Sequence, residues 1–421
     1  SHNPSKYNGY KVYWEDGGQL PPDRAAIITG RLDGIGYGDA KPMDEKEARE
    51  KGLLVTIPPE VDDAYIAAVK KLAVNPELTR EMGKTLKIVY TPLHGSGNIP
   101  VRRVLREIGV ENVFVVPEQE LPDGNFPTVR VPNPEEKDAF DLAVAMQKKL
   151  GADLCVGTDP DCDRVGVQVA RAGGFVPLNG NEIGALLIDY LCAVRPPVPG
   201  DVLVTTVVSG ELGQRVARSH GIEVQQVLTG FKFIGDVAEN LPPKGKRFFF
   251  GYEESYGYLT GDLARDKDAV LACSLVAKMA LHWKAQGKDL LDRLEEIERE
   301  QGYCVEKTVS RHVEGIDFAE KIAARMEALR DPNLAELGGL AVLAVEDYLT
   351  GQRRDLASGS VQALDVPRAD VLKFFFAQGT LAVRPSGTEP NIKFYCAANG
   401  KTRADAGENL GAIQRAQETL L

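Results

Sequence analysis

Three carboxylates at alternate positions are the sharpest chemical signal in the sequence. Asp159, Asp161 and Asp163 follow an apolar run, in a segment that we call the acidic loop (residues 159–164). Three like charges this close repel one another unless a cation neutralises them, and carboxylate oxygens suit Mg²⁺ or Ca²⁺. An EF-hand is excluded, because its sixth position requires Gly where this chain has Arg164. Its twelfth position requires Glu, and here it is Ala170. The acidic loop is therefore either a metal site of another kind or an acidic, solvated turn.

A second signal combines an arginine, two hydroxyls and a glycine behind a predicted strand near the end of the chain. Gly387 lets the backbone come close to an anion, and Ser386 and Thr388 add hydroxyl donors. Arg384 offers a planar fork of N–H groups. These residues, which we call the 384–388 loop, predict a phosphate-binding site, although a tight hairpin explains the Ser-Gly-Thr part equally well.

Three weaker signals become informative only in combination. Glu253 and Ser255 follow another apolar strand and could bind vicinal sugar hydroxyls, although a solvated loop is the simpler interpretation. Ser1 opens a tight turn, where it is either a nucleophile or an ordinary turn residue. The run from Thr229 to Lys232 also follows a strand, and by itself it is an ordinary connection between a strand and a helix.

Alternating strands and helices must position these loops. From Lys84 the pattern runs strand, helix, strand, helix, strand, which predicts a mainly parallel sheet with helices on its faces. The same pattern returns after a proline-rich linker, and a strand-rich α+β unit closes the chain. We therefore expect four units, which are residues 1–83 with the serine turn, 84–197 with the acidic loop, 198–302 with Glu253 and Ser255, and 303–421 with the 384–388 loop.

The first of these units is turn-rich at its start. A short strand is predicted at Tyr10–Trp14. Helical patterns then cover Pro22–Leu32 and Val61–Met82, with a loop rich in Gly, Asp and Pro between them. Because Ser1 lies on a loop that leads directly into a predicted strand, we expect an N-terminal segment to be missing from this sequence.

Composition limits the class of protein. The 421 residues correspond to about three domains at roughly 150 residues each. The formal net charge is −11, which is a poor fit to a protein that wraps nucleic acid. No apolar run reaches membrane-spanning length, and the six cysteines form no Cys-x-x-Cys pair, as expected for reduced thiols. We therefore expect a cytoplasmic protein with no nucleic-acid or membrane partner.

Taken together, the signals resemble one family in both type and order. The motifs Ser-His-Asn-Pro, Asp-x-Asp-x-Asp-Arg, Gly-x-Glu-Glu-Ser and Arg-x-Ser-Gly-Thr-Glu are similar to those of the α-D-phosphohexomutases, which include phosphoglucomutases and phosphomannomutases. The resemblance extends over the whole chain. It implies three similar α/β domains with mixed or parallel sheets, the first of them incomplete here, and a C-terminal α+β domain, all around a central cleft.

The resemblance also implies roles for the residues at matching positions. Ser1 would bear the transferable phosphate, Arg164 would lie beside the metal, and Lys11 would serve in proton transfer, for which its pKa must be depressed. The implied Mg²⁺ ligands are Ser1, Asp159, Asp161 and Asp163. The implied substrate-binding residues are Thr229, Gly230 and Lys232 for sugar orientation, Glu253 and Ser255 for sugar hydroxyls, and Arg384, Ser386, Gly387 and Thr388 for the non-reacting phosphate.

The implied activity is interconversion of a hexose 1-phosphate and a hexose 6-phosphate through a phosphoserine and a bisphosphate intermediate. The expected sugar is glucose, because Tyr256-Gly257 and Phe231-Lys232 replace His-containing sequences of many bacterial members that use mannose and glucose phosphates. The implied cofactors are Mg²⁺ and a sugar 1,6-bisphosphate, and the protein would be a monomer or homodimer that binds a phosphorylated sugar. The alternatives are a phosphomannomutase or phosphopentomutase, a hexose-bisphosphate synthase, and an inactive fragment that binds sugar phosphates.

Overall fold

The computed structural model describes residues 1–7, 10–171, 174–315, 317–386 and 391–420. Within the described residues up to Met82, the chain forms helices and no strand. These helices are α1 (Pro22–Leu32), α2 (Glu45–Glu50), α3 (Pro59–Leu72) and α4 (Pro76–Met82). The helix predicted at Pro22–Leu32 is thus confirmed.

The strand predicted at Tyr10–Trp14 is wrong. In this segment only Tyr13 pairs across a turn, with Gln19, and the pairing is an isolated bridge. The chain reverses directly after Trp14, whose carbonyl accepts from the backbone N–H of Gly17 and whose own N–H donates to the carbonyl of Gly18. A strand therefore has no room to continue.

The single helix predicted at Val61–Met82 is also wrong, because it is interrupted between α3 and α4. Asn75 has a φ of 59°, in the left-handed region that ends a right-handed helix. Its side chain accepts from the backbone N–H of Leu78, and Pro76 follows with no N–H to continue the earlier helix. The interruption therefore starts a new helix, with Asn75 as its cap.

The first sheet carries the acidic loop. Its strands are β1 (Lys87–Thr91), β2 (Asn112–Val115), β3 (Leu154–Thr158), β4 (Val165–Arg171) and β5 (Gly174–Leu178), in the order β2-β1-β3-β4-β5. Two helices, α5 (Asn98–Glu107) and α6 (Asp141–Leu150), connect the parallel strands β1, β2 and β3, as predicted. The sequence did not predict β4 and β5, which are antiparallel. The acidic loop is therefore the connection between β3 and β4.

The second sheet repeats this arrangement. Its strands are β6 (Asp201–Thr206), β7 (Glu223–Val227), β8 (Arg247–Glu253) and β9 (Gly257–Leu259), in the order β7-β6-β8-β9, and only β9 is antiparallel among them. The helices of this region are α7 (Gly180–Val194), α8 (Glu211–Ser219), α9 (Phe231–Asn240), α10 (Ala269–Lys284) and α11 (Leu290–Gln301). Residues 229–232 thus lead into α9, and Glu253 lies at the end of β8.

The C-terminal region is strand-rich, as predicted. Its elements are β10 (Tyr303–His312), α12 (Phe318–Leu329), β11 (Glu336–Leu337), β12 (Leu340–Ala341), β13 (Ala344–Asp347), β14 (Gln352–Asp355), β15 (Val361–Ala363), β16 (Leu372–Phe376), β17 (Gly379–Pro385), β18 (Asn391–Gly400) and α13 (Arg403–Glu418). Seven strands form an antiparallel sheet in the order β10-β18-β17-β16-β13-β14-β15. The fold class, α/β sheets followed by an α+β domain, is confirmed.

The first two sheets share one hydrophobic core, whereas the C-terminal sheet has a separate one. One large core runs continuously through the first two sheets and their helices, including the fully buried side chains of Tyr90 and Tyr252. The C-terminal sheet has a core of its own, centred on residues such as Phe374 and Phe394. A small third cluster joins Val207 to this sheet. None of the helices in the described part of the chain has the length and apolar character needed to cross a membrane.

Candidate active site

The acidic loop folds around the buried carboxylate of Asp159. Its Oδ1 accepts from the backbone N–H groups of Asp163 and Arg164 at 3.0 and 2.9 Å, while its Oδ2 has no hydrogen-bond partner among the described residues. Cys162 has a φ of 57°, which turns the loop back toward β4. Asp159, Asp161 and Asp163 each present an oxygen within 4.8 Å of the other two. The structure thus brings the three predicted residues together, with one oxygen left for a ligand.

The charges of this cluster cannot all persist without cations. Burial, together with the charges of Asp163 and Asp161, raises the pKa of Asp159 well above its ordinary range. Burial also acts to raise the pKa of Asp163, but the charges of Lys267 and Lys11 outweigh it and lower that pKa. A compact group of oxygens with excess negative charge, one of them buried and unpartnered, fits a hard divalent cation.

The opening segment of the chain lies against the acidic loop. The backbone nitrogen of Ser1 is 3.2 Å from Asp161 Oδ1, and Ser1 Oγ accepts from the backbone N–H of Asn3 at 3.3 Å. Lys11 Nζ donates to Asp161 Oδ2 at 3.1 Å and to Asp163 Oδ2 at 2.9 Å. Two motifs that are about 150 residues apart in the sequence therefore meet, as the position of Asp161 relative to Lys11 shows.

The pKa of Lys11 is raised, whereas a general base requires a lowered pKa. Burial acts to lower it, but the charges and hydrogen bonds of Asp163 and Asp161 outweigh burial and raise it above the ordinary range of lysine. A role in proton transfer therefore depends on these carboxylates being neutralised by another cation. That role stays a prediction.

Backbone pairing joins the acidic loop to the end of the second sheet. Arg164 forms an isolated antiparallel bridge with Gly257, and Val165 N–H donates to the carbonyl of Tyr256 at 3.0 Å. The guanidinium of Arg164 donates to Glu135 Oε1 at 2.6 Å, while its buried Nε has no hydrogen-bond partner in the described chain and lies 3.9 Å from Asp163 Oδ1. The pairing fixes the acidic loop beside the segment that follows β8.

The two motifs proposed to bind the sugar are also in contact. Glu253 Oε1 accepts from the backbone N–H of Gly230 at 2.8 Å, and Ser255 Oγ lies 3.4 Å from Glu253 Oε2, to which it donates. Gly230 has a φ of 122°, which side chains other than glycine rarely permit. Thr229 Oγ1 is buried without a partner in the part of the chain that the structure describes, and Lys232 Nζ lies over the ring of Phe233. Glu253 thus unites both motifs.

The 384–388 loop connects the antiparallel strands β17 and β18. Arg384 Nη1 donates to Tyr395 Oη at 3.5 Å, and Ser386 N–H donates to the carbonyl of Asn391 at 2.8 Å. Gly387 and Thr388, predicted to bind phosphate, lie outside the described residues.

The strand that carries Arg384 is near the opening segment. Lys393 pairs with Arg384 across β17 and β18. Burial first, then the charge of Arg164 and, to a smaller extent, the charge of Lys393, lower the pKa of His2 to about 3. The C-terminal sheet therefore contributes positive charge to the environment of the residue next to Ser1.

Comparisons with known proteins agree along the chain. Models of the phosphoglucomutase/phosphomannomutase α/β/α domains I, II and III match residues 1–37, 63–173 and 179–299, and the model of the C-terminal domain matches residues 322–408. A phosphoglucomutase of Staphylococcus epidermidis is 38% identical over 397 residues, which are 94% of this chain and 71% of that protein. One of Staphylococcus haemolyticus is 40% identical over 95% of this chain and 72% of that protein. The chain belongs to the phosphoglucomutase/phosphomannomutase family.

Solved structures of this family share the fold at much lower identity. A putative phosphomannomutase from Thermus thermophilus superposes with a TM-score of 0.67 at 20% identity, covering 99% of this chain and 76% of that one. Parafusin, a phosphoglucomutase from Paramecium, gives 0.63 at 17% identity, covering 85% of this chain and 61% of that one. The architecture is therefore retained where most side chains differ.

One site residue of this family member was missed in the sequence. Lys267 Nζ lies 3.0 Å from Asp163 Oδ2 and 3.1 Å from Asp266 Oδ1, over the ring of Phe231. It is nearly buried, and burial acts to lower its pKa, but the charges of Asp163 and Asp266 raise it above the ordinary range. The available signal was the charged run at 265–268, directly before the apolar helix α10.

Proposed function

We propose that this protein interconverts glucose 1-phosphate and glucose 6-phosphate. The family supports a hexose-phosphate mutase, an intramolecular phosphotransferase, and the curated relatives named above are phosphoglucomutases. The observation that carries the proposal is the pairing of Arg164 with Gly257, because it holds the acidic loop beside Glu253 and Ser255. A phosphate held at the acidic loop then faces hydroxyls of a sugar bound beside it.

Ser1 carries the transferable phosphate in this proposal, and the acidic loop holds Mg²⁺ through Asp159, Asp161 and Asp163, with Ser1 as the fourth ligand. The unpartnered Oδ2 of Asp159 and the convergence of the three carboxylates support this assignment. When bound, Mg²⁺ neutralises charge on the transferring phosphate. Lys11 and Lys267 contact the same carboxylates. With Mg²⁺ bound, the charges of the ion and the two lysines would therefore outweigh the three carboxylates and favour a phosphate here.

The reaction consists of two phosphate transfers. The free hydroxyl of the sugar monophosphate attacks the phosphorus on Ser1, the P–O bond to Ser1 Oγ breaks, and the hydroxyl proton passes to a base. Lys11 is the proposed base, while Arg164 and Lys267 remain as cations beside the phosphate. The resulting bisphosphate reorients within the site. Its other phosphate is then transferred to Ser1, which regenerates the phosphorylated enzyme. A sugar 1,6-bisphosphate therefore acts both as the intermediate and as the activator that phosphorylates Ser1.

Substrate recognition is divided between two regions. Glu253 and Ser255 bind sugar hydroxyls, and residues 229–232 select the sugar orientation with Thr229, Gly230 and Lys232. The non-reacting phosphate is held by Arg384, Ser386, Gly387 and Thr388. We propose further that the four units are residues 1–83, 84–197, 198–302 and 303–421, and that the protein is a cytoplasmic monomer or homodimer without nucleic-acid or membrane partners.

A coupled assay with three sugar 1-phosphates tests the proposal. Formation of glucose 6-phosphate from glucose 1-phosphate, with catalytic glucose 1,6-bisphosphate, should exceed turnover of mannose 1-phosphate and ribose 1-phosphate by about tenfold or more in kcat/KM. A preference for mannose or ribose phosphate would instead identify a phosphomannomutase or a phosphopentomutase. Net formation of bisphosphate only in the presence of an acyl phosphate would identify a hexose-bisphosphate synthase.

A further inference from the structure

A short turn between the sugar-binding region and the C-terminal sheet has no part in the proposed reaction. This 206–210 turn follows β6, a strand that is buried along its whole length. Glu254 Oε2 accepts from Thr206 Oγ1 at 3.0 Å and from Ser209 Oγ at 3.1 Å. The two hydroxyls are 2.8 Å apart, and Thr206 Oγ1 also accepts from the backbone N–H of Ser209. Glu254, the neighbour of Glu253, thus holds the turn from the sugar-binding side.

The opposite side of the turn is held by the C-terminal sheet. Lys373, on β16, donates from Nζ to the carbonyl oxygen of Val207 at 2.8 Å. Val207 and Val208 are buried in one cluster with Tyr395 and other residues of that sheet. Because Tyr395 also accepts from Arg384, the turn is connected to the proposed phosphate site through a single side chain.

A third contact closes the interface at the end of the turn. Gly210 N–H donates to Asn181 Oδ1 at 2.9 Å, and Asn181 Nδ2 donates to Glu306 Oε2, on β10, at 3.1 Å. A Cβ atom at Gly210 would lie 1.9 Å from Glu306 Oε1, so a larger residue would have to displace the Glu306 carboxylate. The cavity that remains among these groups has a volume of about 30 Å³, which is room for about one water molecule. The turn is therefore packed on both sides.

We propose that the 206–210 turn is a spacer that sets the distance between Glu253 and Arg384, with Glu254 and Lys373 as its positioning residues. The proposal rests on the proposed function, in which Glu253 binds sugar hydroxyls and Arg384 binds the phosphate at the far end. A hexose bisphosphate has one more carbon between its phosphates than a pentose bisphosphate. A spacer held on both sides therefore selects substrates by length, although neither positioning residue touches the sugar.

Two variants and a matched control test this assignment. Glu254→Gln weakens the acceptor for the two hydroxyls, and Lys373→Met removes the donor to Val207 while keeping an unbranched side chain that is one atom shorter. Lys278→Met is the control, because Lys278 also donates to backbone carbonyls, those of Ala73 and Val74 at 2.7 and 2.8 Å, but away from the turn. The measurements are kcat and KM for glucose 1-phosphate, and calorimetric Kd values for glucose 1,6-bisphosphate and ribose 1,5-bisphosphate.

If the turn is a spacer, its variants should change substrate binding and selectivity rather than the rate of phosphate transfer. Both turn variants should raise KM about fivefold or more, with kcat within about twofold, because the distant phosphate is held equally before and during transfer. The preference for the hexose over the pentose bisphosphate should fall about fivefold or more. Lys278→Met should lower the melting temperature and leave KM and the preference unchanged.

The opposite results overturn the proposal. An unchanged preference in both turn variants, or an equal change in Lys278→Met, would show that the turn is only structural. If Lys373→Met does not fold, Ser209→Ala removes one hydroxyl of the same network and should change the preference in the same direction as Glu254→Gln. A parent protein that binds the bisphosphates without turnover would contradict the proposed function, while its Kd ratios would still decide the role of the turn.

Discussion

Two buried carboxylates, Asp159 and Glu254, show how a group that can bind a ligand differs from a group that holds another part of the protein in place. Asp159 and Glu254 both follow a buried strand, and burial raises the pKa of both. Asp159 binds its own loop through Oδ1 and leaves Oδ2 without a partner among the residues described. Glu254 instead gives Oε2 to two hydroxyl donors of the 206–210 turn. A buried unsatisfied oxygen that lies beside two further carboxylates favours a ligand, whereas an oxygen satisfied by two donors of the protein indicates internal support.

The largest effect is expected at the acidic loop, around the unsatisfied oxygen of Asp159. Asp161→Asn keeps the shape of the acidic loop but removes one charge, so turnover should fall about 10²- to 10³-fold through lost stabilisation of the transferring phosphate. A chelator should abolish turnover, and Mg²⁺ should restore it. The control is Asp123→Asn, because the Asp123 carboxylate accepts from the backbone N–H and the side-chain amide of Asn125, in a surface turn away from the acidic loop. Full activity in excess chelator would contradict the metal site.

An intermediate effect is expected at the 384–388 loop. Arg384→Lys replaces a planar fork by a point charge, so one of two parallel hydrogen bonds to phosphate is lost. A charge-assisted hydrogen bond contributes roughly 1.5–3 kcal/mol, which corresponds to about a 10- to 150-fold loss of affinity. Because this phosphate is bound in both half-reactions, KM should rise for the 1-phosphate and the 6-phosphate alike, as steady-state kinetics in both directions would show.

A matched arginine on the same sheet serves as control for that experiment. Arg353, on β14, donates to Glu346 at 2.7 Å, and Arg353→Lys should leave both KM values unchanged. If Arg384→Lys lowers the melting temperature while both KM values stay within about twofold, the loop is a hairpin and not a phosphate site.

A smaller effect, on stability and its pH dependence, is expected at the satisfied carboxylate. Burial, followed by the charge of Glu253, raises the pKa of Glu254 from 4.5 to about 7. A raised pKa stabilises the folded protein below pH 4.5, and this contribution is lost as the pH rises through about 7. The contribution is about 3 kcal/mol at most. Glu254→Gln should therefore flatten the decrease in the free energy of unfolding between pH 5 and pH 8, measured in urea.

Two further variants provide a second positive case and a control for this measurement. Glu306 also has a pKa raised to about 7 by burial, so Glu306→Gln should flatten the same decrease. Exposed Glu77 offers a neutral comparison, and Glu77→Gln should leave the decrease as it is in the parent. A parent whose stability does not decrease between pH 5 and pH 8 would show that Glu254 is not held as a neutral acid.

The sequence predicted the parts of the site whose chemistry is local. Asp159, Asp161 and Asp163 lie within five residues, so their spacing predicted either a metal site or an acidic, solvated turn, and the structure brings their oxygens together. Lys267 could not be placed, because its contact with Asp163 joins the segment before α10 to the acidic loop through tertiary packing. The same holds for Glu254, whose partners come from another strand and its turn.

The fold was predictable to a similar extent and for a similar reason. The parallel strands of the first two sheets and the connecting helices α5, α6 and α8 follow from alternating patterns in the sequence, whereas α9 was not predicted. Helix α7 was not predicted, because it is buried on nearly all sides and therefore lacks a polar stripe. The break between α3 and α4 was missed because apolar periodicity continues across Asn75, whose left-handed conformation ends the helix.

The most direct test of the whole account is the location of the transferred phosphate. The protein is incubated with glucose 1,6-bisphosphate and Mg²⁺, digested, and mapped by mass spectrometry, with Ser1→Ala beside it. We predict a phosphate on Ser1 and none on the variant peptide, together with lost turnover and a Kd for glucose 1-phosphate within about threefold of the parent. A phosphate on another serine, or turnover that persists in Ser1→Ala, would contradict the account.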